Sequence, residues 1–259
     1  MDLGLDGQRA LVTGSSRGIG LATARGLLEE GCRVLINGLD ETRLEQTLGE
    51  LQEISPHVHA QAADVSTAEG ARTLFAAADH RLGGLDVLVN NSGLCRYATP
   101  VAEISDEEWD DVLRVNLRSV QLCAREALPR MKDAGGGSIL NASSFAALVP
   151  SVGGGLYAAA KSAVLSLTRT LAAEYAPHGI RVNAYVPGVI LTDMTAPLVE
   201  RRGDAMVDPI ALRRVGTIEE AAAPLVFLSS PRASYITGAV LEITGGKLTV
   251  QRPDAAWRA

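Results

Sequence analysis

The sequence predicts a doubly wound α/β fold, with about seven parallel strands in one sheet and helices on both faces. Three observations predict it. Strand-like and helix-like segments alternate along the chain. The strand-like segments are apolar throughout, as strands covered on both faces must be. A glycine-rich turn at 14–20 separates the first strand from the first helix, where sheets of this kind receive their ligands.

The elements follow in order. Residues 9–13, Arg-Ala-Leu-Val-Thr, read as the first strand. The helical pattern of 19–30 is closed by Gly31, a C-terminal stop. Strands are predicted at 33–37, 58–62, 86–90, 138–142, 181–186 and 239–243. Helices are predicted at 41–54, 67–82, 106–132, 156–176 and 218–228. No linker, repeat or low-complexity block interrupts this rhythm, so one domain spanning 1–259 is expected. The segment 189–212, with Pro197, Gly203 and Pro209, reads as a lid over a pocket. The tail 251–259 is a poor candidate for core structure and is expected to fray or to cover a neighbouring subunit.

The chain has 259 residues, 47% of them hydrophobic, enough for a large core. Its net charge of −6, spread along the chain, argues against nucleic acid or an anionic membrane as main partner. No apolar run is long enough to span a bilayer, and the N-terminus lacks the basic start and apolar run of a signal peptide. The three cysteines, Cys32, Cys95 and Cys123, are isolated, which suggests neither disulfides nor a metal cluster and fits a reducing cytoplasm. Burial is the expected role of Cys32 and Cys123; Cys95 follows a loop of interest and stays open. The four histidines show no ligand grouping, so no metal is expected.

Two stretches carry chemistry. The loop Gly14-Ser15-Ser16-Arg17-Gly18-Ile19-Gly20 can turn tightly and bring backbone N–H groups and a helix N-terminus against a pyrophosphate. It lacks the Gly-Lys-Ser/Thr of an ATP-type loop. Tyr157 and Lys161, four residues apart, share one face of a predicted helix. A phenol normally titrates near ~10. An ammonium ~4 Å away, at an effective dielectric of ~20, contributes roughly 4 kcal/mol. That is on the order of three pKa units, which brings the phenol toward the range useful for acid–base catalysis.

Further motifs fall in register with these. Thr13-Gly14-x-x-x-Gly18-Ile19-Gly20 resembles the cofactor motif of the short-chain dehydrogenase/reductase family. Asp64-Val65 resembles its adenine-contacting pair, and Asn90-Asn91-Ser92-Gly93 its Asn-Asn-Ala-Gly loop, with Ser92 in place of Ala. Asn116 falls where the family keeps a catalytic asparagine, and Ser144 lies thirteen residues before Tyr157, the family's spacing. Pro187-Gly188-Val189-Ile190-Leu191-Thr192 resembles the segment that closes on the nicotinamide. The resemblance covers about residues 5–247.

The resemblance implies a Rossmann-type domain and an NAD(P)-dependent oxidoreductase that interconverts an alcohol and a carbonyl. It implies Asn116, Ser144, Tyr157 and Lys161 as catalytic residues. Tyr157 exchanges the proton, Ser144 steadies the substrate oxygen, Lys161 lowers the Tyr157 pKa and holds the ribose, and Asn116 anchors a water. The implied cofactor contacts are Gly14, Ser16, Arg17, Gly18, Ile19, Gly20, Asp64, Val65, Asn91, Gly93, Tyr157, Lys161, Pro187, Gly188, Val189 and Thr192. The family commonly forms tetramers through two long helices and the last strand, so a homotetramer is expected.

An acid at the end of the second strand would bind the ribose 2′-OH and select NAD. Gly38 stands there. Leu39 follows where NADP users often place Arg, and Arg17 is the remaining cation; Asp40 sits two residues late. NADP is favoured over NAD. Expected pocket walls are 94–97, 145–155 and the lid, with Arg96 read as a solvated arginine or a contact to an anionic or polyhydroxylated substrate. A small alcohol, sugar, polyol or ketone is the expected substrate. The alternative is a 3-oxoacyl-acyl-carrier-protein reductase, although the basic residues such enzymes carry are absent at 133–137 and 177–179. A non-catalytic nicotinamide-binding redox sensor, and a lyase or epimerase on the same fold, are the readings of other kinds.

Overall fold

The computed structural model describes residues 2–95, 99–193 and 195–257, and of Asp204 the backbone. Strands β1 (Arg9–Val12), β2 (Arg33–Gly38), β3 (Val58–Ala62), β4 (Val87–Asn90), β5 (Gly137–Ala142), β6 (Ile180–Pro187) and β7 (Val240–Ile243) form one sheet. All pair in parallel, in the order β3-β2-β1-β4-β5-β6-β7. The order reverses between β1 and β4. In such sheets the crevice beyond the strand C-termini at that point receives the ligand.

Apolar strand residues alternate between two cores. Val12, Ile36, Val89 and Leu140 pack on one face with Leu27 of α1 (Gly18–Glu29), Leu44 of α2 (Glu41–Gln52) and Leu225 of a later helix at Ile218–Ser229. Leu11, Leu35, Leu88 and Ile139 pack on the other with Phe75 of α3 (Ala68–Leu82). Both predicted structural cysteines are buried, Cys32 in the first core and Cys123 in the second. Burial pushes each thiol up to about 12.

The predicted helix at 106–132 is interrupted. It runs as α4 (Asp106–Leu113), a π-helical turn (Arg114–Arg118) and α5 (Ser119–Asp133). The π turn adds a residue, and the buried positions Val112, Asn116, Val120, Ala124 and Leu128 recur every four residues through it. α6 (Gly155–Tyr175) lies on the same side of the sheet. The segment 189–212 holds two short helices, α7 (Ala196–Arg202) and α8 (Asp204–Val207), before α9 (Ile218–Ser229). The described part of the tail is not frayed. Pro253 is buried, and the Trp257 indole N–H donates to the Ala211 carbonyl at 3.0 Å, so the tail folds back on its own chain.

Candidate active site

The glycine loop is built for close approach. Gly14 and Gly18 adopt φ of +59° and +60°, a region that favours glycine. A Cβ on Gly20 would stand 2.4 Å from the Gly14 carbonyl oxygen and 2.5 Å from Asn91 Nδ2, so the loop closes only around glycine. Asn91 Nδ2 donates to the carbonyls of Thr13 (3.2 Å) and Gly14 (2.9 Å), and its Oδ1 accepts from Tyr185 Oη at 2.9 Å. Thr13 Oγ1 accepts from the backbone N–H groups of Asn91 and Ser92. The Asn91 side chain is therefore engaged in joining the glycine loop to β6, a role that Thr13 and Tyr185 share and the sequence did not assign.

At the end of β2, Gly38 faces Ser16, whose Oγ lies 3.1 Å from where a Cβ would be. Asp40 is turned to α2: its Oδ1 caps the helix by accepting from the Arg43 N–H at 3.0 Å. Arg17 is not the only cation here. Arg17 Nη1 and Arg43 Nη2 both reach Asp193 Oδ2, at 3.5 and 3.1 Å. Asp64 accepts from Ser66 N–H at 2.9 Å and pairs with Arg114, while Val65 is buried. Thr192 leans on the loop, its Cγ2 lying 3.5 Å from a Cβ position on Gly18.

Four predicted residues converge at the C-terminal ends of β4 and β5. Ser144 follows β5 and caps a 3-10 turn, its Oγ accepting from the Ala146 N–H at 3.2 Å. Tyr157 is half-buried on the first turn of α6 and shares a side-chain hydrogen bond with Ser144. Lys161, one turn further, is 2% exposed and donates from Nζ to the Ala142 carbonyl at 2.9 Å. Asn116 is fully buried in the π turn. Its Nδ2 donates to the carbonyls of Leu94 (2.8 Å) and Val112 (3.0 Å), and its Oδ1 accepts from the Leu94 N–H (3.1 Å). Both Asn116 Oδ1 and Lys161 Nζ crowd Gly93, at 3.2 and 3.4 Å from a Cβ position there. Arg96 and Tyr97 lie outside the described residues.

The electrostatics correct one expectation. The Tyr157 phenol is not lowered toward neutral pH; it is pushed up to about 12. Burial is the main cause, the negative charge of an ionised Cys95 adds to it, and the Ser144 hydrogen bond opposes it. Lys161 Nζ sits over the Tyr157 ring, 5.8 Å from its centre. Burial also pulls Lys161 itself down to about 8, so its charge is partly withdrawn.

The loop fits a dinucleotide: a pyrophosphate would lie on the 14–20 backbone, its ribose beside Lys161. An ammonium has three donors, and Lys161 Nζ has one protein acceptor among the described residues. No group of three or more His, Cys, Asp or Glu that could hold a metal occurs among the described residues. No described helix is long and apolar enough to cross a membrane.

Fold, glycine cradle and the Ser144–Tyr157–Lys161 cluster define a nicotinamide-type oxidoreductase scaffold, and the comparisons agree. The profile of the family described as Enoyl-(Acyl carrier protein) reductase matches residues 14–247. Human dehydrogenase/reductase SDR family member 4 is 36% identical over 92% of this chain and 86% of its own. The 3-oxoacyl-acyl-carrier-protein reductase FabG of Staphylococcus aureus (strain Mu50 / ATCC 700699) is 37% identical over 92% of this chain and 96% of its own. A solved chain from Agrobacterium tumefaciens, assigned as a gluconate dehydrogenase, superposes with a TM-score of 0.92 at 37% identity, covering 96% of this chain and 99% of that one. The chain belongs to the short-chain dehydrogenase/reductase family, whose members bind NAD(P).

Proposed function

We propose that this chain is an NADP-dependent oxidoreductase that interconverts an alcohol and a carbonyl on a small alcohol, sugar, polyol or ketone. The observation that carries the reading is the Ser144–Tyr157 hydrogen bond, backed by buried Lys161 and facing the glycine cradle. The bound nicotinamide supplies the carbon that gives or takes the hydride. Tyr157 holds the proton. With its phenol raised to about 12, the unliganded chain holds it as a donor, the form that carbonyl reduction uses. Ser144 Oγ hydrogen-bonds the substrate oxygen and steadies its developing charge.

Lys161 holds the ribose with the ammonium hydrogens that Ala142 leaves over and passes protons from Tyr157 outward. Asn116 positions rather than reacts. Both its amide hydrogens are engaged, and it fixes Leu94 and the π turn around Lys161 and Gly93. Gly14, Ser16, Arg17, Gly18, Ile19 and Gly20 hold the pyrophosphate and adenosine. Asp64 and Val65 flank the adenine, and Asn91 and Gly93 frame the groove. Pro187, Gly188, Val189 and Thr192 close on the nicotinamide. NADP is favoured because Gly38 offers no acid, Asp40 is engaged as a helix cap and two arginines stand nearby. We read the chain as one domain with a lid at 189–212, assembling as a homotetramer in the cytoplasm.

Tyr157→Phe tests the reading. It is expected to keep NADPH binding and to lose nearly all turnover against a panel of aldehydes, ketones, sugars and polyols. Undiminished turnover would sink the mechanism, and no turnover in the wild type on any substrate would favour the sensor reading. Reduction of 3-oxoacyl chains is the second reading. The similarity to the Staphylococcus aureus reductase favours it. A 3-oxoacyl thioester in the same panel separates the two.

A further inference from the structure

The turn after β7 carries a cation that the site described above does not use. Lys247 sits in that turn, its N–H donating to the Thr244 carbonyl at 3.3 Å. The turn is tied to the segment 189–212. The Leu212 N–H donates to the Gly245 carbonyl at 3.0 Å, and the Leu248 N–H to the Pro209 carbonyl at 2.9 Å. The Lys247 ammonium lies over the Phe145 ring, 4.7 Å from its centre. Phe145 follows Ser144 directly and is buried with Leu165, Ala184 and Val186. Lys247 thus bridges the turn that carries Ser144 and the segment 189–212. Burial pulls its ammonium down, and the charge of Arg202, at the end of α7, pulls it down further, so the two cations are neighbours. Arg213 and Arg214, which follow the segment, are paired with Asp208 and Glu220. Lys247 and Arg202 have no carboxylate partner among the described residues. Glu200 stands two residues before Arg202 and so on a different face of α7. A half-buried cation beside a second cation, with an aromatic face as its contact, is an arrangement that an anion completes.

We propose that Lys247 and Arg202 seat a carboxylate of the substrate, at the end remote from the reacting carbon, and that Lys247 is thereby a specificity-determining residue. The proposal rests on the oxidoreductase reading above and narrows its substrate class to hydroxy acids and the matching oxo acids, sugar acids among them. Such a substrate has its carbinol or carbonyl at Ser144 and Tyr157 and its carboxylate at Lys247, so it carries several carbons between the two. The cost of desolvating an ion rises with the square of its charge. A half-buried seat therefore takes a carboxylate monoanion at less cost than a phosphate dianion.

The test adds matched compounds to the panel above and follows steady-state kinetics of the full chain. Gluconate, sorbitol and sorbitol 6-phosphate are offered for oxidation, and 5-oxohexanoate and its methyl ester for reduction. In the wild type, kcat/KM should be higher for each carboxylate than for its neutral partner. Lys247→Met keeps an apolar stem on Phe145 and removes the charge. It should lower kcat/KM for the carboxylates roughly ten- to a hundredfold, through KM, as loss of a hydrogen bond to a charged group does. The neutral partners should be unchanged, and Lys247→Arg should retain the preference. Arg202→Gln should act in the same direction but more weakly, because Arg202 is exposed. Equal losses on acids and neutral partners in Lys247→Met would make Lys247 a packing residue and overturn the seat. A wild type that turns over sorbitol and the ester as well as the acids would overturn the seat and leave the oxidoreductase reading standing. A preference for sorbitol 6-phosphate over gluconate would overturn the choice of carboxylate. No turnover of any compound in the whole panel would fail the oxidoreductase reading itself, and the seat with it.

Discussion

The Lys161 ammonium lies over the Tyr157 ring, 5.8 Å from its centre, and donates to the Ala142 carbonyl. Sharing a helical face does not by itself lower the phenol. Lys161 is anchored by β5 and Tyr157 by Ser144, so in the unliganded chain each is governed by its own burial. The first prediction follows from this. In an ultraviolet titration of cofactor-free protein, the wild-type minus Tyr157→Phe difference should show no phenolate below about pH 10, the ordinary value for a free phenol. A phenolate signal near pH 7 would restore the view that Lys161 alone activates Tyr157.

The same two residues give opposite stability slopes. Tyr157 is raised, from an ordinary 10.0 to about 12, so its contribution is fully present below the unfolded value and is lost as pH rises toward 12. Lys161 is depressed, from 10.5 to about 8, so the folded state is penalised while the ammonium is charged and gains stability as pH rises from 8 toward 10.5. Denaturant unfolding of the wild type against Lys161→Met should therefore show a slope between pH 8 and 10.5 that the variant lacks. Parallel curves across that window would mean that Lys161 is solvated as well in the fold as out of it.

Gly20 tests the cradle. Its missing Cβ is required by the Gly14 carbonyl and the Asn91 amide, at 2.4 and 2.5 Å. Gly20→Ala cannot be accommodated by rotating a flexible side chain, because one of the two neighbours is backbone and the other is pinned by Tyr185. The expected outcome is a lowered melting temperature and loss of nucleotide binding together. A variant that melts like the wild type and binds NADPH normally would show that the loop opens more easily than its geometry implies.

Much of this was legible in the chain. Most of the seven strands were readable from short apolar runs, though β3, Val-His-Ala-Gln-Ala, is half polar, and Gly31 and Gly38 from their places before and at the end of β2. A spacing of thirteen positions brings Ser144 and Tyr157 together, because the end of β5 and the start of α6 lie at the same end of the sheet. What the sequence concealed has physical reasons. The π turn at Arg114–Arg118 is a change of backbone hydrogen bonding inside a continuous helical pattern, so only the backbone reveals that Asn116 satisfies the Val112 carbonyl there. Arg43 reads as an ordinary solvated helix residue until Asp193, 150 positions away, is brought to it. Trp257 looked like a loose tail residue because its acceptor, the Ala211 carbonyl, lies 46 positions away in the segment 189–212.

Asn116 offers a prediction that separates positioning from chemistry. Its amide ties Leu94 to the π turn by two hydrogen bonds, one donated and one accepted, and donates a third to the Val112 carbonyl of α4. Asn116→Ala leaves buried backbone groups at Leu94 and Val112 without partners, at a cost of about 1–3 kcal/mol. Turnover should fall because the loop beside Gly93 and Lys161 loosens, while the pH dependence of whatever activity remains keeps its shape. A shifted pH profile with unchanged stability would instead make Asn116 a direct member of the proton path.

The last prediction concerns the far end of the sheet, away from the groove. Arg9 grips Asp86 with its backbone N–H at 2.9 Å, Nε at 2.7 Å and Nη2 at 2.6 Å, joining the start of β1 to the residue before β4. Burial alone would raise the Asp86 carboxyl, but the hydrogen bonds and charge of Arg9 outweigh it and hold the carboxyl below its usual value. A depressed acid stabilises the fold above its unfolded pKa and loses that contribution as pH falls through the lower folded value. Asp86→Asn should cost about 2 kcal/mol at neutral pH, the scale of a hydrogen bond to a charged group. The gap from the wild type should narrow as pH drops below about 4, where the unfolded carboxylate protonates. Binding of 2′,5′-ADP should be unaffected, because β1 delivers the glycine loop from its opposite end. A gap that stays constant down to pH 2 would mean that Asp86 acts through shape alone, not charge.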